Sequence, residues 1–254
     1  MSSDNKALTK REQAIKNLLI GGCHLGVKKV TKSMKKYVYG QRKDGVNVID
    51  VDKMYQKICV AARIIAKVAP ESITVTSRRD EGQIATYKFA HFVNATCISG
   101  RWSPGMLTNQ ITKKFIEPRL LIVTNPAPKL DGKAIIESSY VNVPVIAICN
   151  TDDDLRYVDC AIPANNKSAK SIAMIWYILT QEVLALTKPD SDEFKEVPPE
   201  AFVNMDCIEK KKPIETKPEK VEAGEEINDG KNEEDVGQPE EDEEDEGDKN
   251  FLEE

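Results

Sequence analysis

The sequence has little of what marks a secreted or membrane protein. It contains no run of about 18 apolar residues, and its polar start, Met1 to Arg11, lacks the apolar middle that a signal peptide needs. Its six cysteines form no Cys-x-x-Cys pair, which argues against a zinc site and favours reduced, buried thiols over a disulfide framework. We therefore expect an intracellular protein that makes no contact with a membrane.

The sequence also lacks the motifs of a nucleotide-binding enzyme. Neither Val75 nor Val123, each near the end of a predicted strand, is followed by Gly-x-Gly-x-x-Gly, and no Gly-Lys-Ser/Thr loop is present. The chain has two histidines, His24 and His91. Cys23 beside His24 is a poor nucleophile and base pair, because the side chains of adjacent residues usually point apart. We expect no catalysis and no cofactor, and a nucleotide-dependent enzyme is the competing hypothesis.

Three consecutive carboxylates, Asp152 to Asp154, follow an apolar segment and raise the question of a magnesium site. Oxygen ligands suit this ion. Consecutive carboxylates, however, usually need the phosphates of a substrate to bring the metal to them, and no phosphate loop is present. A solvent-exposed or helix-capping loop is the interpretation we favour, so no metal site is predicted.

Positive and negative charge are separated along the chain, although the whole sequence carries a net charge of only −6. Residues 209–254 hold twenty acidic and seven basic side chains, a net of −13, which leaves +7 on residues 1–208. We predict a globular domain over 1–208, with a strap from about residue 188, followed by a disordered tail. The composition of the tail cannot bury enough apolar area to offset its ordering entropy. The tail either confers solubility or attracts basic partners.

The basic part of the chain points to a polyanionic partner. Its first 43 residues hold eleven lysines and arginines against Asp4 and Glu12. Aromatic residues stand beside several cations, as at Tyr37, Tyr39 and Trp102, and this mixture suits phosphate neutralisation with base stacking. An exposed polar face without a ligand is the alternative. The candidate phosphate contacts are Lys28, Lys29, Lys32, Lys35, Lys36, Arg42, Lys43, Arg78, Arg79, Arg101, Lys113 and Lys114.

Arg78 and Arg79 stand at a predicted helix entrance, directly after a predicted strand. Arginine forks and the free N–H groups at a helix start both suit phosphate. The alternative is that the two arginines pair with Asp80, Glu81 or another surface carboxylate.

Apolar patterning predicts an α/β protein. Runs of β-branched residues without polar alternation mark strands buried on both faces, as in a parallel sheet covered by helices. The turn at Lys43–Gly45 predicts a hairpin at one edge, and Asp52 is predicted to cap the second helix. We predict a three-layer sandwich with a central, mostly parallel sheet of flavodoxin-like or Rossmann-like topology. The predicted helices cover residues 10–20, 52–68, 83–93, 133–140 and 167–186, and the predicted parallel strands cover residues 73–76, 95–98, 120–124, 145–149 and 158–162.

Several segments of the sequence are specific enough to resemble a known family. They match in order, with little room for insertions, between about Leu18 and Leu186. The segments include Gly22-Cys23-His24-Leu25-Gly26, Glu117-Pro118-Arg119-Leu120-Leu121-Ile122-Val123-Thr124, Ser139-Tyr140-Val141-Asn142-Val143-Pro144 and Ile148-Cys149-Asn150-Thr151-Asp152. On these segments the chain resembles the eukaryotic small-ribosomal-subunit protein SA family, also called the laminin-receptor-precursor family, which has bacterial counterparts.

The resemblance implies a structural, non-catalytic component of the cytosolic small ribosomal subunit, needed in translation and in late maturation of the small-subunit RNA. It implies small-subunit ribosomal RNA and neighbouring ribosomal proteins as partners. The expected location is the cytoplasm, with passage through the nucleus during subunit assembly. Laminin binding is linked in animal members to a region similar to Ile162–Leu179 here. It is not expected, because the apolar residues of that region have the pattern of buried residues.

Overall fold

The structure, a computed structural model, describes residues 9–188, 194 and 197–204, which contain five α-helices, three short 3-10 helices and seven strands. The predicted acidic tail, 209–254, lies outside these residues. The helices are α1 (Lys10–Ile20), α2 (Val51–Ala66), α3 (Asp80–Val93), α4 (Gly132–Val141) and α5 (Ala169–Thr187). The strands are β1 (Val38–Gln41), β2 (Asn47–Ile49), β3 (Ile73–Ser77), β4 (Thr96–Ser99), β5 (Leu120–Val123), β6 (Val145–Cys149) and β7 (Cys160–Pro163).

A parallel sheet of five strands, in the order β4-β3-β5-β6-β7, forms the centre of the fold. Its central strands are buried on both faces because alternate residues point to opposite layers. In β5, Leu120 and Ile122 join one apolar cluster, while Leu121 and Val123 join another. β1 and β2 form a separate antiparallel hairpin. The predicted α/β fold with a mostly parallel sheet is confirmed.

The two faces of the sheet are covered differently. Helices α2, α3 and α5 cover one face, and α1 packs against α2 and α5. Among the described residues, α4 is the only α-helix on the other face, and segments that include the short 3-10 helix Lys35–Tyr37 complete the cover there. The buried apolar residues of these segments are Met34, Tyr37, Trp102, Met106 and Leu107. The segment between β4 and β5 is therefore part of the core rather than a surface loop.

Helix α5 is apolar on most of its circumference. By length and composition it is the one helix of the described chain that could cross a membrane. However, 61% of it is buried in the fold, where Trp176 packs on Phe89 of α3 with ring centroids 4.8 Å apart. Because α2 and α3 cover it, α5 has the environment of a core helix in a globular protein.

The start of α2 differs from the prediction. Asp50 rather than Asp52 is the N-cap, and its carboxylate accepts hydrogen bonds from the backbone N–H groups of Asp52 at 3.1 Å and Lys53 at 3.5 Å. The Asp52 side chain instead forms an exposed ion pair with Arg11 at 2.6 Å. The predicted cap was therefore two residues too late.

Replacing Asp50 with alanine should lower the free energy of unfolding by about 1 kcal/mol, because the N–H groups at the start of α2 lose their acceptor. Replacing Asp52 with alanine should change it by less than about 0.5 kcal/mol, since an exposed ion pair contributes little. Urea denaturation of the two variants and the unaltered chain measures both effects. Equal losses in the two variants would contradict the cap assignment.

An aromatic cluster holds part of the predicted strap against the helices. Phe194 and Phe202 are buried and pack on Phe92 of α3 and Tyr177 of α5, with ring centroids 5.1 to 6.4 Å apart. Aromatic pairs at such distances stabilise a packing contact beyond the area that they bury. The described part of the strap therefore extends the cover over α3 and α5.

Candidate nucleic-acid interface

The loops that follow the parallel strands meet at one edge of the sheet, which we call the carboxyl edge. In a parallel sheet every strand ends at the same edge, so residues distant in sequence come together there. Arg78 follows β3, Arg101 follows β4 and Lys129 lies in the loop after β5. Cations from three different loops are thus placed along one edge.

The basic segment that precedes the hairpin is docked at the same edge. The backbone N–H groups of Val27 and Thr31 donate to the side-chain and backbone oxygens of Thr151, each at 2.9 Å, and Thr151 follows β6. The side-chain amide of Asn47 donates to the carbonyls of Val27 and Lys28. This docking brings three exposed lysines to the carboxyl edge: Lys28, Lys29 and Lys32.

Gly26 permits the close approach of this segment. A Cβ at this position would lie 2.6 Å from Cγ2 of Thr151 and 2.9 Å from the carbonyl oxygen of Asn47, closer than folded side chains tolerate. The side chain of Lys28 runs beside Gly45 of the hairpin turn. The cations of that turn, Arg42 and Lys43, therefore adjoin the docked lysines.

The carboxylates after β6 form hydrogen bonds or ion pairs with protein groups. Asp153 is buried, and its Oδ2 accepts hydrogen bonds from the backbone N–H of Asn150 and the side-chain amide of Asn166, both at 2.7 Å. Burial raises the pKa of Asp153, while these hydrogen bonds lower it. Asp152 pairs with Lys167 at 2.6 Å. Within the described residues, no group of three histidine, cysteine, aspartate or glutamate side chains could hold a metal ion.

Eleven of the twelve candidate cations are exposed, and none of these eleven forms an ion pair with a carboxylate of the described chain. Arg79 is the exception. It is half-buried, its Nε lies 3.4 Å from Oε2 of Glu81, and it also donates to the carbonyl of Asn166. For Arg79 the alternative of pairing with a carboxylate therefore applies, and its contacts are those of a structural residue.

Arg78 differs from its neighbour. Helix α3 begins at Asp80, three residues earlier than predicted, so both arginines directly precede its first turn. The guanidinium of Arg78 donates to the carbonyl of Lys129 at 2.5 Å, and its backbone N–H donates to Oδ1 of Asp131 at 3.0 Å. These bonds orient Arg78 while its side chain stays exposed.

The aromatic residues expected beside the cations are placed differently from the prediction. Tyr39 is 83% exposed and is available for stacking, but Tyr37 and Trp102 are buried. The indole N–H of Trp102 donates to Oε2 of Glu137 at 2.5 Å inside the core. The prediction that bases stack on Tyr37 and Trp102 is therefore wrong, because both rings are buried in the apolar cluster on the second face of the sheet.

His24 contributes no charge to this surface. Burial lowers its pKa, and the positive charge of Arg42 lowers it further. The imidazole is therefore neutral at neutral pH, and its Nδ1 is buried without a hydrogen-bond partner among the described residues. This placement fits a packing residue and not a catalytic base.

Two cations of the carboxyl edge were missed by the sequence reasoning. Lys129 lies in the loop after β5 and Lys133 lies in the first turn of α4, and both are exposed. The signal that could have found them is their position in the loop and first helical turn that follow a buried parallel strand. Of the predicted residues, Lys113 and Lys114 lie further along the segment after β4 and are exposed there.

This geometry defines a class of protein: a doubly wound α/β protein with unpaired cations along the carboxyl edge of its sheet. The family model of Ribosomal protein S2 matches residues 18–116 and 110–185. The chain therefore belongs to the ribosomal protein S2 family, and the resemblance drawn from its sequence is confirmed.

Similar proteins come from several eukaryotes. Small ribosomal subunit protein uS2C of Schizosaccharomyces japonicus is 50% identical over 180 residues, which is 70% of this chain and 62% of that protein. Small ribosomal subunit protein uS2 of Monosiga brevicollis is 48% identical over 202 residues, which is 78% of this chain and 72% of that protein. The matched part thus spans less than two thirds of the first of these relatives.

Proposed function

We propose that this protein is a structural constituent of the small ribosomal subunit, where it binds ribosomal RNA and neighbouring ribosomal proteins. The observation that carries the proposal is the set of exposed, unpaired cations at and beside the carboxyl edge. Its similarity to proteins named as small-subunit components supports the same role. The proposal includes a role in subunit assembly and late maturation of the small-subunit RNA. It places the protein on cytoplasmic ribosomes after passage through the nucleus.

Electrostatics favours a phosphate backbone as the ligand of this surface. Cations that lack carboxylate partners repel one another, and a polyanion relieves that repulsion while releasing its own counterions. Lysine and arginine side chains are the usual contacts to the phosphate backbone of a nucleic acid, whatever its base sequence. The docked segment holds its lysines on a fixed backbone, so less ordering entropy is lost when RNA binds.

The laminin-linked region supports the ribosomal role over a cell-surface one. Ile162 of β7 and Ile172, Ile175 and Leu179 of α5 are buried in the main apolar cluster. A laminin contact through these side chains would require the helix to leave the core. Binding of RNA at the carboxyl edge requires no such rearrangement.

The test is sedimentation of tagged full-length protein in cell extract through a sucrose gradient, first in magnesium and then after subunits are dissociated by chelation. Co-migration with the small subunit in both gradients is the expected result. Recovery only at the top of both gradients would overturn the proposal.

The same gradient tests the cationic surface. The variant K28Q/K29Q/K32Q should reduce the small-subunit fraction roughly tenfold, because three phosphate contacts are lost. The control R63Q/K67Q/R119Q removes the same charge from exposed positions at the opposite edge of the sheet. It should sediment as the unaltered protein does. Equal effects of the two variants would mean that net charge, and not this surface, drives incorporation.

A further inference from the structure

The carboxyl edge contains a crevice between the loops that follow β3 and β5. β4 lies on one side of β3 and β5 lies on the other, so the order of strands along the sheet reverses direction at this point. Open α/β sheets bind ligands at such switch points, because the two loops leave toward opposite faces and open a gap between them. The topology alone therefore marks this gap as a ligand position.

A pocket of about 280 Å³ occupies the gap. Four of its lining residues are cations, and they come from three different loops and the start of α4: Arg78, Arg101, Lys129 and Lys133. No acidic residue lines this pocket. We call it the switch-point pocket.

Two acidic side chains close in sequence to Lys129 and Lys133 are engaged elsewhere. Asp131 is fully buried and accepts a hydrogen bond from the backbone N–H of Arg78. Glu137 is buried and accepts hydrogen bonds from the indole of Trp102, the backbone N–H of Gly105 and the hydroxyl of Thr108. Neither lines the pocket, and none of its four cations forms an ion pair with a carboxylate of the described chain.

The pocket is held open by its own backbone. In the loop after β5, Oδ1 of Asn125 accepts from the N–H of Ala127 at 3.1 Å, and the N–H of Leu130 donates to the carbonyl of Ala127 at 2.9 Å. Arg78 donates to the carbonyl of Lys129 and joins the loops after β3 and β5. These bonds fix the cation-bearing loops before any ligand arrives.

We propose that the switch-point pocket binds a phosphate group of an RNA backbone, and this inference rests on the proposed function. Arg101 and Lys133, which make no hydrogen bond through their side chains in the described chain, are the groups free to contact it directly. The volume lies below the roughly 300 to 1,000 Å³ of pockets that enclose whole small molecules. A phosphate within a chain therefore fits the pocket better than a complete free nucleotide.

The wall of the pocket sets its selectivity. Trp102 is 2% exposed and its N–H is committed to Glu137, so the ring offers no face on which a base could stack. The polar groups directed at the ligand are guanidinium and ammonium groups, which bind phosphate oxygens, and a contact to phosphate carries no sequence information. Binding of a backbone phosphate at this pocket is therefore independent of base sequence.

The experiment compares the full-length variants R101Q/K133Q and R63Q/K67Q. Each removes one arginine and one lysine from exposed positions, and the second pair lies at the opposite edge of the sheet. The probe is a fluorescent 12-residue uridine RNA, whose affinity is measured by anisotropy over a series of salt concentrations. Loss of Arg101 and Lys133 should weaken binding about tenfold and reduce the salt slope by about 1.4, the value for two contacts to a single strand. The control should bind as the unaltered chain does.

Other outcomes separate this inference from the proposed function. Unchanged RNA affinity of R101Q/K133Q, or an equal loss in the control, would overturn the phosphate site. If inorganic pyrophosphate displaces no RNA but binds the unaltered chain and not R101Q/K133Q, the pocket takes a free anion and the RNA assignment is wrong. Co-migration of R101Q/K133Q with small subunits would leave the ribosomal role intact in either case. Absence of the unaltered chain from small subunits would instead remove the proposed function.

Discussion

Replacing Glu137 with alanine should lower the free energy of unfolding by about 4 kcal/mol and release the segment that carries Arg101. Three donors bond to this one carboxylate: the indole N–H of Trp102, the backbone N–H of Gly105 and the hydroxyl of Thr108. A buried donor that loses its acceptor costs about 1 to 3 kcal/mol, and more when the acceptor is charged. Glu137 is therefore the residue that attaches the segment after β4 to helix α4.

Two measurements test this expectation. Urea denaturation gives the change in stability, and limited trypsin digestion reports whether the peptide bonds after Arg101, Lys113 and Lys114 become accessible in the folded protein. Glu117→Ala is the matched control, because Glu117 lies in the same segment and is exposed. It should change the free energy of unfolding by less than about 0.5 kcal/mol. If E137A and E117A were cut at the same rate, Glu137 would not hold the segment.

Replacing Asp131 with asparagine should remove a pH-dependent part of the stability. Burial raises the pKa of Asp131 to about 7, and hydrogen bonds from Arg78 and Asn125 and the charge of Arg78 only partly offset that rise. Because the folded pKa is above the unfolded one, this group stabilises the fold most below about pH 4. That contribution is lost as the pH rises through about 7. A rise from 3.8 to about 7 corresponds to on the order of 4 kcal/mol.

The measurement is the difference in free energy of unfolding between D131N and the unaltered chain at about pH 4.5 and pH 8. Other titrating groups are common to both proteins, so they cancel in the difference. The unaltered chain should lose stability relative to D131N as the pH rises. The control is D154N, the same substitution at an exposed position. A difference that does not vary with pH in D131N would mean that Asp131 is already ionised in the fold.

The strands were predictable because their signal is local. β6 consists of five apolar residues buried on both faces, and the prediction for Val145–Cys149 agrees with the structure at both ends. The hairpin turn was predictable for the same reason, since Gly45 adopts a φ of 80°, a conformation that glycine reaches without strain.

The features that the sequence could not supply depend on contacts between distant residues. Trp102 stands next to Arg101, which suggested a stacking platform, but its partner Glu137 lies 35 residues away on α4. Nothing local indicates that the indole is buried. The second face of the sheet carries helix α4 as expected, but the segment between β4 and β5 also packs there without regular structure, which the sequence did not indicate.

The candidate site was predictable in its residue types and only partly in its arrangement. Charge counting found the lysines at positions 28, 29 and 32, but their backbone geometry depends on Thr151, 124 residues from Val27. Lys129 and Lys133 were not predicted as phosphate contacts, because two lysines four positions apart do not form a basic cluster in the sequence. Their importance follows from the strand order, which brings Arg78 of another loop against them.

The docking of the basic segment on Thr151 has a consequence for the newly made chain. Val27 leaves the translating ribosome 124 residues before its partner does, a delay of about 6 to 25 s at ordinary elongation rates. During that interval the lysines of the nascent protein lie on a segment without fixed structure, and they can bind any RNA nearby. Only when the loop after β6 emerges does the segment acquire a fixed geometry. The charge of the cationic surface is therefore in place well before synthesis reaches the residue that gives this surface its shape.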